Sequence, residues 1–340
     1  MKKVYLFGRH ANRTPFAYSG YAQQLRKHFE YVTRPEDADF LVLGFSIDIR
    51  ENAREIARIQ ALRPQVQLVV VSEEPLWDTV WSGDFLSRKT AVNIGDQRIE
   101  YHVLNHCTTK IFDFVNIPYF LTTNDDYFVR YANFFKRNRQ YTVSKIRALW
   151  SHAPIQAAFY AENRIGEKFD IVLPEHDIYG LCNFRTQIAT SYPGQKVIRV
   201  GQGWGETVKR QAVPDWHLDK LTALDGNSYI VSAIENTHQQ HYVTEKIFDA
   251  FSVMGVPLYF SSSLHGVSRL LPEGAFVNLF GLSVQNAIMK AMSFEPNNEF
   301  VESYRQAQVK LADMFSDPSV FILERQRAVS EIVAEFQQLN

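Results

Sequence analysis

A strand, a loop, a helix and a second strand follow one another between Ser228 and Phe260, and this order leaves few folds open. Ser228 to Ile234 is β-branched and apolar, as a strand should be. Thr244 is a good helix N-cap, and Glu245, Ile247, Phe248 and Phe251 recur at helical spacing. Gly255-Val-Pro-Leu-Tyr-Phe260 is again a strand. The same alternation runs through most of the chain. Strands are expected at Lys3–Gly8, Phe40–Phe45, Gln67–Ser72, Ser144–Trp150, Phe169–Leu173, Lys196–Val200, Tyr229–Ile234, Val256–Phe260 and Ala275–Leu279. Helices are expected at Tyr21–Phe29, Ile49–Leu62, Pro154–Ile165, Glu245–Val253, Val284–Met292 and Asn298–Phe315. Alternation of this kind calls for parallel sheets covered by helices on both faces. The runs Phe40–Phe45 and Leu68–Val71 are apolar on both faces, as buried parallel strands are.

The helix at Glu245 places Glu245 and Lys246 in a first turn, where free backbone N–H groups and the positive dipole end gather. A lysine there adds a point charge for a phosphate. A carboxylate there can accept from two ribose hydroxyls. The pair suits a nucleotide diphosphate, against the plainer reading of a solvated first turn.

The string Glu235-Asn-Thr…Tyr242-Val-Thr-Glu-Lys-Ile247, with Pro257 in the following strand, resembles the signature of the family 10 glycosyltransferases, the α-1,3/4-fucosyltransferases. The resemblance implies a bacterial member with an α/β fold of the GT-B architecture, two doubly wound Rossmann-like domains facing each other across a cleft. It implies an acceptor-side domain over residues 1–142, a donor-binding domain over 143–315, and a C-terminal helix over 316–340 that packs back on the first domain. The donor site would comprise Asn236, Tyr242, Thr244, Glu245 and Lys246.

Two further stretches extend the resemblance. Gln67 to Trp77 is a buried strand ending in Glu73, Glu74 and Pro75. Ligands in open α/β sheets bind beyond the carboxyl ends of strands. The family's Glu-Ser-Pro places its catalytic base at Glu73, with Glu74 as the alternative. Ser151 to Tyr160 resembles a second family block, except that the family's diphosphate-contacting arginine falls on Gln156. Arg164, on the same expected helix, and Arg147 just upstream are the candidate substitutes. Asp177-Ile-Tyr179-Gly180 resembles a third segment, which adds Tyr179 and Gly180 to the donor set, and Gly201 to Gly205 resembles a glycine-rich one.

The activity implied is inverting transfer of a sugar, L-fucose from GDP-fucose, onto a hydroxyl of a glycan acceptor such as a surface polysaccharide or lipopolysaccharide. Gln156 keeps open a related transferase using another nucleotide sugar. A non-catalytic sugar-nucleotide-binding protein is the remoter reading. No cofactor or metal is expected. His238 and His241 lack a third ligand, and Asn124-Asp-Asp126 reads as a turn or helix cap.

Composition narrows the partners. A net charge of -1 leaves no basic surplus for nucleic acid. Cys107 and Cys182 make neither a disulfide framework nor a zinc pattern. No run approaches eighteen apolar residues, so a cytoplasmic location with at most peripheral membrane contact is expected. The sequence leaves the oligomeric state, the acceptor and the linkage open.

Overall fold

The computed structural model describes residues 1–205 and 213–339, and they divide into two units. The first comprises Met1–Asp125 and Ser319–Asn340, the second Asp126–Pro318.

The first unit alternates β1 (Lys2–Leu6), α1 (Ser19–Leu25), β2 (Phe29–Tyr31), β3 (Phe40–Leu43), α2 (Ile47–Glu51), α3 (Ala53–Leu62), β4 (Gln67–Val71) and α4 (Pro75–Trp81). A hairpin, β5 (Lys89–Ile94) and β6 (Gln97–Leu104), follows. The sheet order is β2-β1-β3-β4-β6-β5, with only the β5–β6 pair antiparallel. Two apolar layers cover it. One packs Ile49, Ile56 and Ile59 of the helices against Leu41, Leu43, Leu68 and Val70. The other packs Val42, Val69 and Val71 with Phe336 and Ile332 near the C-terminus. The β3 and β4 side chains alternate between these layers, which explains strands that are apolar on both faces. The chain leaves β1 for β2 on one side and returns to β3 on the other. The point where the direction of winding reverses therefore lies between β1 and β3, and there successive loops diverge and leave a crevice.

The second unit runs α5 (Asp125–Asn138), α6 (Val143–His152), β7 (Ile155–Tyr160), β8 (Val172–Leu173), β9 (Ile178–Gly180), α7 (Cys182–Ser191) and β10 (Val197–Val200). It continues through α8 (Trp216–Leu224), β11 (Ser228–Ser232), β12 (Thr237–His238), α9 (Glu245–Ser252), β13 (Val256–Tyr259), α10 (Val267–Leu270), β14 (Val277–Asn278), α11 (Val284–Met292) and α12 (Asn298–Met314). Its five-stranded sheet, β10-β7-β11-β13-β14, is wholly parallel. A small antiparallel sheet, β12-β9-β8, stands apart from it. Here the winding reverses between β7 and β11.

The final helix, α13 (Pro318–Gln338), contributes to the first unit from Ser319 onward. Phe336 packs on Phe16, Phe29 and Phe40, and Arg325 donates to the Thr122 carbonyl and to Asp125. Asn340 lies outside the described residues.

Three expectations need correction. Ser144–Trp150 is helix, within α6, because Thr142 caps it by accepting from the Lys145 amide. Pro154–Ile165 is not helix, since Ile155–Tyr160 forms the central strand β7. Both stretches are short and apolar, and periodicity does not separate a buried strand from a buried helix at that length. The units also divide at Asp125–Asp126 rather than at residue 142. The reason is α5, whose Tyr131 and Phe135 pack on Phe315 and whose Tyr131 packs on Phe248, all in the second unit.

Candidate active site

In the second unit the winding reversal brings the ends of β7 and β11 together. Glu235, three residues past β11, is buried. It accepts from the Thr244 amide at 2.9 Å, from the Thr244 hydroxyl at 2.7 and 2.8 Å, and from Lys246 Nζ, 2.9 Å away. Lys246 also donates to Thr244 Oγ1 at 2.8 Å and lies 3.4 Å from Glu245 Oε1. Burial works against the ammonium, but Glu235 and Glu245 outweigh it and hold Lys246 firmly protonated. The result is a fixed cation in the first turn of α9. Thr244 occupies the N-cap position without making a capping bond, because its hydroxyl is committed to Glu235.

Around this cation lie buried groups that no described residue satisfies. Asn236 Oδ1 and Thr237 Oγ1, next to Glu235, have no hydrogen-bond partner among the described residues. Arg185 on α7 is buried and lies close enough to act electrostatically on Lys246. It reaches only the Ile234 carbonyl, at 3.5 Å, and its Nε has no partner among the described residues. A buried guanidinium left this open is costly unless something anionic completes it. Arg185 lines a small cleft with Ala161, Glu162, Thr186 and Trp204. Sequence reading passed over Arg185 and Glu235 as site residues. Arg185 was findable as an arginine on the apolar side of the helix that follows Gly180. Glu235 stood inside the recognised string.

The remaining expected donor residues separate. Tyr242 and Glu245 are buried beside the cluster. Tyr179 and Gly180 lie on β9, which pairs with Thr237–His238. Gly180 is there because a Cβ would meet the Phe169 carbonyl oxygen at 2.4 Å. Arg164 sits past the end of β7 and is paired with Glu162 at 2.5 Å. Gln156 does not belong to the site. It is exposed near the start of β7, the opposite end of the strand from the carboxyl edge. Arg147 is likewise committed elsewhere, donating to the Pro296 carbonyl and to Asn298 Oδ1, both at 2.9 Å. His238 and His241 turn to different partners, Asp177 at 3.2 Å and Arg269 at 3.2 Å. Cys107 is exposed and Cys182 is buried, and the two do not form a disulfide with each other.

The first unit carries a different cluster at its carboxyl edge. Glu73 is buried and accepts at Oε1 from Arg13 Nε at 3.2 Å and from the Tyr18 hydroxyl, and at Oε2 from the Tyr119 hydroxyl at 3.2 Å. Burial pushes its carboxyl up, against the pull of Arg13 and Tyr18. Glu74, at the N-cap of α4, accepts from Arg13 and keeps 14% of its side chain exposed. Behind it, Asp78 is buried near Ser72 and Asn105, and burial pushes its carboxyl up to about 8.

Two doubly wound α/β units in one chain, the second with a fixed cation and open buried polar groups at its switch point, fit the two-domain plan expected from the sequence. Residues 195–308 match the family model described as "Glycosyltransferase family 10 (fucosyltransferase) C-term". That match lies wholly within the second unit. Among solved structures, it is similar to "Crystal Structure of alpha1,3-Fucosyltransferase", with 14% identity, TM-score 0.42, and 93% of this chain and 80% of that one covered. It is also similar to an alpha1,3-fucosyltransferase with GDP-fucose, at 15% identity, TM-score 0.40 and coverages of 93% and 81%. No curated protein gives a match. Among the described residues no helix is long and apolar enough to cross a membrane.

Proposed function

We propose that the chain transfers L-fucose from GDP-fucose, with inversion, to a hydroxyl of a glycan acceptor. The observation that carries this is the Lys246–Glu235–Thr244 cluster beside the open Arg185, inside the segment that matches the fucosyltransferase model. Lys246, Arg185 and the first turn of α9 would hold the diphosphate and stabilise its charge as the sugar leaves. Glu245 and Tyr242 would clamp the nucleoside, with Asn236 and Thr237 offering it their open acceptors. Arg185 supplies the positive charge that Gln156 lacks. The reading of a different donor, which rested on Gln156, therefore loses its motive. No metal is needed for this chemistry, because fixed cations take that role.

The acceptor hydroxyl must lose its proton to a base. Both oxygens of Glu73 are occupied by donors, whereas Glu74 is the more accessible carboxylate. We assign the base to Glu74 and treat Glu73 as the anchor that positions Arg13. The acceptor would be a bacterial surface polysaccharide or lipopolysaccharide, handled in the cytoplasm or at the inner face of a membrane. Incubating the purified protein with GDP-, UDP- and dTDP-sugars and following nucleotide release tests the donor. Release from GDP-fucose alone is expected. Tight binding of a non-guanine nucleotide, with none of GDP, would defeat the assignment. Binding of GDP with no turnover on any acceptor would favour the non-catalytic binding protein.

A further inference from the structure

The switch point of the first unit holds chemistry that the donor site does not use. It lies between the loops after β1 and β3, and both are shaped there by glycine. Gly8 has φ +90°, and a Cβ on it would meet Asp48 at 2.7 Å. A Cβ on Gly44 would meet the His10 carbonyl oxygen at 2.2 Å. No larger residue fits either position without moving the loops apart. What the two glycines permit is a close His10–Asp48 pair. Asp48 is fully buried and accepts from the His10 amide at 3.1 Å, and it meets His10 Nδ1 at 2.7 Å. A buried carboxylate at Nδ1 fixes the proton there and leaves Nε2 as an acceptor. Among the described residues, Nε2 has only the long 3.5 Å approach of the exposed Arg9 guanidinium.

Two more observations place a ligand beside it. Ser46, on the same β3–α2 loop, is 6% exposed and its hydroxyl has no partner among the described residues. The His10 ring lies 5.9 Å from that of Trp81, which stacks on Trp77 at 4.2 Å and 10°. Both indoles are half-buried. They sit one helical turn apart on α4, the helix that Glu74 begins. Indole faces are electron-rich and attract the slightly positive C–H face of a pyranose, while a fixed imidazole acceptor takes one of its hydroxyls. His10 is joined to the proposed base through its own loop, since its carbonyl accepts from the Arg13 amide at 2.8 Å and Arg13 holds Glu74.

We propose that His10, oriented by Asp48, and the Trp77–Trp81 pair form the binding subsite for a pyranose ring of the acceptor. A hydroxyl of that ring donates to His10 Nε2 in place of Arg9. His10 and Asp48 are in this view specificity-determining residues for glycosyl transfer, and the inference rests on that reading of the chain.

The probes are methyl β-D-galactoside, methyl β-D-glucoside and methyl N-acetyl-β-D-glucosaminide, titrated into the full chain while tryptophan fluorescence is followed. GDP affinity is measured alongside by calorimetry. At least one glycoside should give a saturable change in the wild-type protein. His10→Ala should weaken it at least tenfold, and Asp48→Asn several-fold. Trp81→Ala should remove it. GDP affinity should stay within twofold throughout. Should Trp81→Ala fail to fold, the partly exposed His10 decides alone. No saturable change with any glycoside in the wild type, or equal binding in His10→Ala, overturns the subsite. Loss of GDP binding by the wild type with glycoside binding intact defeats the fucosyl-donor reading and leaves the subsite standing.

Discussion

The carboxyl edges of the two sheets solve opposite electrostatic problems. In the second unit a cation is held by buried acceptors. Glu235 and Thr244 grip Lys246, and Arg185 beside it remains open. In the first unit a buried anion is held by converging donors. Arg13, Tyr18 and Tyr119 saturate Glu73, and only Glu74 remains accessible. A site that keeps unsatisfied positive charge is built to receive an anion. A site whose buried carboxylate is already complete offers chemistry only through its neighbour. This contrast ranks the functional residues more sharply than their places in a motif.

The largest effect should come from the two adjacent carboxylates. Glu74→Gln keeps the shape and removes the base, so turnover should fall by about 10²–10⁴ with GDP affinity intact. Glu73→Gln turns one of its two acceptor oxygens into an NH2 that faces donors, and should lower stability by roughly 1–3 kcal/mol in urea melts. The reverse pattern, an inactive but fully stable Glu73→Gln, would return the base to Glu73 and erase the contrast between anchor and reactive group.

On the cation side, Lys246→Ala should weaken GDP binding by roughly 1.5–3 kcal/mol, about ten- to a hundredfold, measured by calorimetry. Arg185→Ala should act in the same direction. If Arg185 were a structural filler, its loss would lower stability and leave GDP affinity alone.

The unequal legibility of the two sites has a physical origin. The proposed donor cluster draws Glu235, Asn236, Tyr242, Thr244, Glu245 and Lys246 from one strand-loop-helix, so its geometry was nearly readable from spacing. Arg185 came from a separate helix and was missed. The Glu73 cluster assembles Arg13, Tyr18 and Tyr119 from three other places in the chain. No local pattern announces such a convergence, and so Glu73 looked as free as Glu74. The alternation that predicted parallel sheets held for β1, β3, β4, β10, β11 and β13. It failed at α6 and β7, where a capping threonine and sheet pairing outweighed short apolar patterns.

Asp78 sharpens the picture of the first unit through pH. Its folded-state carboxyl is raised to about 8 by burial, above the value near 4 of an unfolded chain. Between those values the folded state binds the proton and the unfolded state does not. Asp78 therefore lowers stability as pH rises from about 4 to 8, by at most about 1.4 kcal/mol per pH unit. Asp78→Asn should remove this slope, so its urea midpoint should gain on the wild type over that range. Parallel pH profiles for the two proteins would show Asp78 to be ionised in the fold.

The smallest effects should come from Gln156, which the motif aligned with the diphosphate-contacting arginine, and from Arg147, its candidate substitute. Gln156 is exposed near the start of β7. Several strand residues, at about 3.3 Å each, separate it from the carboxyl edge where Glu235 and Arg185 lie. Gln156→Arg should thus leave GDP affinity within twofold. Arg147 ties α6 to the start of α12 through Pro296 and Asn298. Arg147→Ala should cost about 0.5–1.5 kcal/mol of stability and, again, leave GDP affinity unchanged. A tenfold gain in GDP affinity for Gln156→Arg, or a tenfold loss for Arg147→Ala, would mean that the diphosphate reaches the other end of the sheet. The open Arg185 would then need another explanation, and the contrast between a receptive cation site and a saturated anion site would no longer locate the donor.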